Sequence, residues 1–304
     1  MGTLASALAR TTGRPIVLDG GLGTLLEQRG SDLSSALWSA RMLVEQPGLI
    51  RSAHREFFAA GASVGISSSY QVSYEGLRSI GLDTADTNRL LNLSVALVAD
   101  ARSDVAADGD ERELWIAASV GPYGAMLADG SEYRGDYGRT VDELRAWHRP
   151  RLEQLATAGA DVLAIETIPC LAETEAVLAE IDGTGFPAWL SVTAAMGRLR
   201  SGESLADAFA MAADVPEIIA VGINCSDPLD VASAIEAARS VTDKPIVVYP
   251  NSGEQWDAKN RRWMGNAGFP ASLVREWVTS GAALVGGCCR VGPAEITAVD
   301  AALA

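Results

Sequence analysis

Ala283-Leu284-Val285-Gly286-Gly287-Cys288-Cys289 is the last of eight apolar runs spaced along the chain, and its reading decides the others. A short apolar run without polar alternation, bounded by glycine, reads as a strand buried on both faces. Working back toward the N-terminus, comparable runs occur at 245–251, 218–225, 188–193, 161–166, 114–121, 63–69 and 15–21. Longer amphipathic segments separate them, at 47–60, 86–105, 140–158, 171–181, 227–241, 270–280 and 293–303. Segment 47–60 offers Leu49, Ile50, Ala53, Phe57 and Phe58 at helical spacing, and Gly61 ends it. Segment 86–105 opens on Asp86-Thr87-Asn88, good N-cap chemistry. Ala-Gly-Ala at 60–62 and 158–160, echoed by Ser280-Gly281-Ala282, marks helix-to-strand junctions where glycine supplies a left-handed cap. Eight strand–helix units in 304 residues predict an α/β chain folded as a (β/α)8 TIM barrel. A doubly wound open sheet is the runner-up, weakened because Gly20-Gly21-Leu22-Gly23 lacks the Gly-x-Gly-x-x-Gly spacing. No low-complexity linker interrupts the pattern, so 1–304 reads as a single domain.

Apolar content of 48% with 21% charged residues fits a soluble globular protein with a sizeable core. A formal net charge of -15 argues against nucleic acid or an anionic membrane as a partner, since both require positive charge. No run approaches the roughly 18 apolar residues needed to span a bilayer. The first ten residues lack the basic start and long apolar run of a secretory signal. The expected compartment is the cytoplasm, where the four cysteines stay reduced and are more often metal-binding or catalytic than disulfide-forming.

In a barrel, the residues closing each strand share one rim. Those residues are Asp19, Ser67 to Tyr70, Ser119, Glu166, Thr193, Asn224-Cys225, Tyr249, Asn251 and Cys288-Cys289. Cys225 closes run six and Cys288-Cys289 closes run eight, so three thiols converge across run seven. Three thiolates could hold one soft metal ion, with zinc the best candidate, and leave a fourth position open. Such an electron-rich centre is poorly suited to splitting water and well suited to deprotonating an incoming thiol. Alkyl transfer to a substrate thiol is the chemistry expected. Other readings stay open at this point: small buried residues, an adjacent disulfide, a structural zinc with Cys170 as fourth ligand, or a thiol-based zinc or redox sensor. Cys170 itself reads as a free small thiol. His54 and His148 lie beside Arg55 and Arg149 and are expected on solvated helix faces.

The chain resembles the homocysteine S-methyltransferase family, within it the S-methylmethionine-dependent type. The matching phrases are Asp19-Gly20-Gly21-Leu22-Gly23-Thr24, Leu37-Trp38-Ser39-Ala40, Gly121-Pro122-Tyr123-Gly124-Ala125 with the stretch from Asp129 to Tyr137, and Glu166-Thr167-Ile168-Pro169. Gly222-Ile223-Asn224-Cys225, the stretch from Val248 to Glu254, and Gly286-Gly287-Cys288-Cys289-Arg290 complete the set in the same order. The resemblance implies a TIM barrel with zinc on Cys225, Cys288 and Cys289. It implies homocysteine as methyl acceptor, a sulfonium donor such as S-methylmethionine or S-adenosylmethionine, and methionine as product. A betaine-type donor is the alternative that the phrases at Tyr123 and 129–137 argue against. By the same resemblance, Asp19 and Glu166 engage the amino group of homocysteine, and Ser69, Gln71 and Asn224 lie near the acceptor. Tyr123, Tyr133, Tyr137 and Trp256 are candidates for a cation–π contact with the sulfonium, though a lid-packing role is favoured for the tyrosines of 133–137. Gly286-Gly287 are expected to let the substrate sulfur approach the metal. The chain departs from the family at 193–203, where Ser201-Gly202-Glu203 replaces an Asp-Gly-Thr phrase. It lacks the cobalamin and folate modules of larger relatives, which implies a donor bound directly.

Overall fold

The computed structural model describes residues 2–10, 14–33, 37–257, 262–265 and 271–304. The barrel strands are β1 (Ile16–Val17), β2 (Val64–Ile66), β3 (Trp115–Val120), β4 (Val162–Ile168), β5 (Ala188–Val192), β6 (Ile218–Asn224), β7 (Ile246–Tyr249) and β8 (Ala282–Val285). Each falls within or overlaps a predicted run, and all neighbours pair in parallel from β2 through β7 to β8 and β1. The ring closes between β1 and β2 at a single parallel bridge, Leu18 with Val64. The expected α/β (β/α)8 TIM barrel is therefore what the chain forms. Strand β7 lies between β6 and β8.

The helices are α1 (Leu4–Ala9), α2 (Leu22–Gln28), α3 (Trp38–Glu45), α4 (Pro47–Ala59), α5 (Tyr74–Ser79), α6 (Thr84–Ala107), α7 (Tyr123–Leu127), α8 (Val141–Ala156), α9 (Leu171–Ile181), α10 (Leu205–Ala213), α11 (Val231–Arg239), α12 (Ala271–Thr279) and α13 (Pro293–Ala302). Helix α6 starts earlier than Asp86 because Asp83 is the better cap. Its carboxylate accepts from Asp86 N, and Asp86 reaches back to Asp83 N, a reciprocal capping box. Helix α10 has no counterpart among the predicted segments, although Leu205, Ala208, Phe209 and Ala212 form its buried stripe at helical spacing. The predicted 227–241 helix is split, with a 3-10 turn at Pro228–Asp230 ahead of α11.

Two apolar populations follow from the strand period of two. Ile116, Leu163, Ile165, Val221 and Val248 face outward and pack with the helices in the larger core. Trp115 and Ala117, Val162 and Ala164, Ala220, Val247 and Leu284 face inward and fill the barrel. Helix α1 plugs the end where the strands begin: Leu4 and Leu8 join the inward cluster, and Trp115 Nε1 donates to Gly2 O at 3.2 Å. The same alternation, continued one step up β3 and β4, places Ser119 and Glu166 in the barrel mouth. Among the described residues, no helix is long and apolar enough to cross a membrane.

Candidate active site

A cavity of about 240 Å³ opens at the mouth, lined by residues from the ends of β1, β2, β3, β4, β6, β7 and β8. The sulfurs of Cys225, Cys288 and Cys289 lie within 4.8 Å of one another on its wall. The thiol loops are held by their backbones. Cys225 N donates to Tyr249 O, Cys288 N to Pro250 O, and Cys289 N to Asn251 Oδ1 at 3.1 Å. Ser252 N donates to Cys289 O, and Arg290 pairs with Glu254 at 3.0 Å. The Val248-to-Glu254 phrase thus scaffolds the thiols of its neighbours on either side. Cys225 and Cys288 are joined as a disulfide, and Cys288 Sγ lies 4.0 Å from Cys289 Sγ. Three thiolates around one tetrahedral zinc stand about 3.8 Å apart, given zinc–sulfur bonds of about 2.3 Å. The trio fits a soft ion once Cys225 and Cys288 are reduced. Cys170 is free, buried at the start of α9 and outside the trio. Burial pushes its thiol up to about 12.

Two buried carboxylates share the cavity. Asp19 Oδ2 accepts from Ile66 N at 2.8 Å, while Oδ1 is buried with no hydrogen-bond partner. Burial holds the Asp19 carboxyl well above the usual range, and the charge of Glu166 adds to this. Glu166 accepts from the hydroxyls of Ser119 and Tyr249, yet burial still pushes it up to about 7. An orphaned carboxylate oxygen beside a second desolvated carboxyl is an arrangement with acceptors to spare for a cationic group.

The lesser expectations separate. Gln71 lines the cavity and donates to Ala125 O at 3.2 Å. Ser69 does not line it; its hydroxyl donates to Ser119 O and bonds Ser67, tying β2 to β3. Asn224 lines the cavity, but its amide is committed: Oδ1 accepts from Thr167 N and Nδ2 donates to Thr167 Oγ1, both at 2.8 Å. Thr167 has a left-handed backbone, φ 62, as does Cys225, φ 47. A β-branched residue pays for that conformation unless held. Asn224 holds it, so one side chain fixes the backbone just after Glu166 and adjoins the first thiol.

Tyr123 and Tyr137 pack together at 5.5 Å, with Trp147 against Tyr123, and none of the three lines the cavity. Tyr133 does line the cavity, with the Arg200 guanidinium 5.3 Å from its ring centre. Trp256 and the Trp38-Ser39-Ala40 phrase have side chains outside the described ones. Arg200 belongs to the divergent 193–203 loop, whose Glu203 accepts from Leu171 N at 2.8 Å.

Two expectations are corrected. His54 and His148 are not on solvated faces; both are buried. His54 sits 4.0 Å from Asp19 with both ring nitrogens unpartnered, and burial lowers it to about 4. His148 bonds Glu173 at 2.8 Å, and Glu173 also accepts from Tyr123 N. The adjacent arginines made a solvated face plausible, but each lies on the outer side of its helix. The room left by Gly286 and Gly287 serves close packing of the chain, and Gly287 also lines the cavity. A Cβ on Gly286 would meet Leu18 at 2.6 Å, and one on Gly287 would meet Val291 at 2.2 Å. The cavity also exposes residues that the sequence left unassigned, Thr167 and Glu132, although both stand inside the quoted phrases.

The family model for homocysteine S-methyltransferase matches residues 16–303. A homocysteine S-methyltransferase of Bacillus subtilis, YbgG, is 46% identical over 297 residues, covering 94% of this chain and 93% of its own. Solved structures of the Escherichia coli homocysteine methyltransferase MmuM superpose closely. The oxidised form has a TM-score of 0.89 at 41% identity, covering 99% of each chain. The metallated form has a TM-score of 0.88 at 40% identity, covering 97% of this chain and 98% of that one.

Proposed function

This chain belongs to the homocysteine S-methyltransferase family, and on that premise we propose a zinc-dependent transfer from a sulfonium donor, S-methylmethionine or S-adenosylmethionine. The acceptor is the thiol of homocysteine, and the enzyme is a methyltransferase acting on small molecules. One observation carries the finer reading: three sulfur ligands and two desolvated carboxylates face one small cavity. Cys225, Cys288 and Cys289 would hold zinc, which supplies a thiolate at neutral pH from a thiol that would otherwise stay protonated.

The chain's own residues do the rest. Asp19 Oδ1 and Glu166 take the homocysteine ammonium, whose arrival favours the ionised form of both. Asn224 keeps the Glu166 backbone turned into the mouth. The cavity walls exclude bulk water and align the reactants, which accounts for much of the rate. The homocysteine sulfur, having lost its proton, donates an electron pair to the methyl carbon. The bond from that carbon to the sulfonium sulfur breaks, and its pair returns to the departing sulfur. Two neutral thioethers result; with S-methylmethionine both are methionine.

The test is a donor panel at full zinc occupancy under reducing conditions. S-methylmethionine, S-adenosylmethionine and betaine are each incubated with homocysteine, and methionine is measured. Methionine from a sulfonium donor is expected. Product only from betaine, or turnover undiminished after zinc is stripped, overturns the assignment. A thiol-based sensor would release zinc on mild oxidation and show no turnover with any donor.

A further inference from the structure

Three carboxylates line the cavity, and homocysteine accounts for two of them. The third is Glu132, on a 3-10 turn at Ser131–Tyr133 in the segment between β3 and α8. Building on the methyl-transfer reading, we propose that Glu132 is the counter-ion for the methyl donor and selects donors whose reactive sulfur is a cation.

The backbone fixes the turn in place. Gly130 enters it with φ 81, and Gly124 of α7 lets it lie flush, since a Cβ there would stand 2.4 Å from Glu132 N and 2.7 Å from Ser131 C. Glu132 Oε2 is buried without a hydrogen-bond partner. The neighbouring cation is engaged elsewhere. Arg134 donates from Nε to Asp136, from NH1 to Asp129 O and from NH2 to Ser131 Oγ. Burial raises the Glu132 carboxyl, as it does for a carboxylate lacking its partner.

Two of the aromatic alternatives, Tyr133 and Tyr123, are already occupied. The Tyr133 ring carries the Arg200 guanidinium, and the Tyr123 ring carries that of Arg139, each at 5.3 Å. The Tyr123 hydroxyl also accepts two bonds from Arg139. A sulfonium approaching either ring meets a like charge, whereas Glu132 offers an opposite one, with Oε2 free of hydrogen bonds. Transfer removes the sulfonium charge, so attraction to Glu132 is strongest in the bound donor and fades toward the thioether product. Such an interaction tightens donor binding more than it lowers the barrier.

That asymmetry gives the experiment its signature. Initial rates are measured for zinc-loaded wild type, E132Q and E132D with S-methylmethionine varied at saturating homocysteine, and then the reverse. In E132Q the donor KM is expected to rise about tenfold or more, with kcat within about threefold and the homocysteine KM unmoved. E132D, which keeps the charge on a shorter arm, should recover part of the donor KM; if E132Q is too unstable to assay, E132D should still raise the donor KM selectively. An unchanged donor KM, or an equal rise in both KM values, overturns the assignment. Wild type that makes no methionine from S-methylmethionine overturns the methyl-transfer reading, and this inference with it. Wild type that does so while E132Q keeps the wild-type donor KM overturns this inference alone.

Discussion

Glu166 is poised between charge states at the pH where the enzyme would work, because burial pushes its carboxyl up to about 7. A substrate ammonium needs the ionised form. As pH falls below 7, Glu166 takes up a proton and loses its half of the ion pair. The homocysteine KM should therefore be flat above about pH 7.5 and climb toward tenfold per unit below about pH 6.5, with the limb gone in Glu166→Gln. A limb that survives the substitution belongs to another group. The thiols make a separate prediction: Cys288→Ala or Cys289→Ala should lose stoichiometric zinc and activity while circular dichroism shows an intact barrel. Full zinc in both variants would show that the ion sits elsewhere. The residue types of this site were legible, since adjacent cysteines and strand-end carboxylates are chemically unusual. The division of labour was not: Asn224 and Ser69 are as polar as a substrate contact, and only the structure shows that their hydrogen bonds run to Thr167 and to Ser119. Glu132 was hidden for the converse reason, as one acidic residue among several in a polar loop.

At the scale of elements, α4 carries a neutral imidazole against the back of Asp19. The chain has two histidines, both buried and both lowered by burial, His54 to about 4. A histidine whose pKa falls on folding stabilises fully above its unfolded value of about 6.5, and that stability is lost as pH falls toward 4. Between pH 7 and pH 5 His54 alone should cost about 2 kcal/mol. Urea midpoints at both pH values should converge in His54→Leu relative to wild type, and an unchanged difference would refute the burial argument. Helix α1 makes a different test. Deleting residues 1–10 unplugs Leu4 and Leu8 from the barrel floor, at a cost of roughly 3–5 kcal/mol. Zinc content and rate per folded molecule should survive, because the plug lies at the strand beginnings and the cavity at their ends. Loss of zinc binding in the truncated protein would show the two ends to be coupled. The periodic helices were readable because an apolar stripe marks them; α10 carries one too, at Leu205, Ala208, Phe209 and Ala212, but two of its four buried positions are alanine, which signals a core face weakly.

For the whole molecule, eight apolar runs alternating with longer amphipathic segments made the barrel legible, because strands covered on both faces are largely apolar. The strand lengths were less legible. Most runs overstate them because the residues that finish them turn out of the ladder to form the rim; β4 is the exception and continues to Ile168. Closure is the extreme case: β1 keeps only Ile16 and Val17, and one bridge joins its end to β2.

That seam is crossed by few bonds, chiefly Ser63 N to Val17 O, Asp19 N to Val64 O and Ile66 N to the Asp19 carboxylate. The third belongs to a group expected to grip the substrate. Opening of the ring at this join should thus be the lowest-energy excursion of the barrel wall, and amide protons of Ser63, Asp19 and Ile66 should exchange with deuterium ahead of those in β4 to β6. Homocysteine, drawing Asp19 into its ionised form, strengthens the carboxylate's hold on Ile66 and should slow that exchange. Acceptor occupancy would then be readable in deuterium uptake along the join, without any turnover.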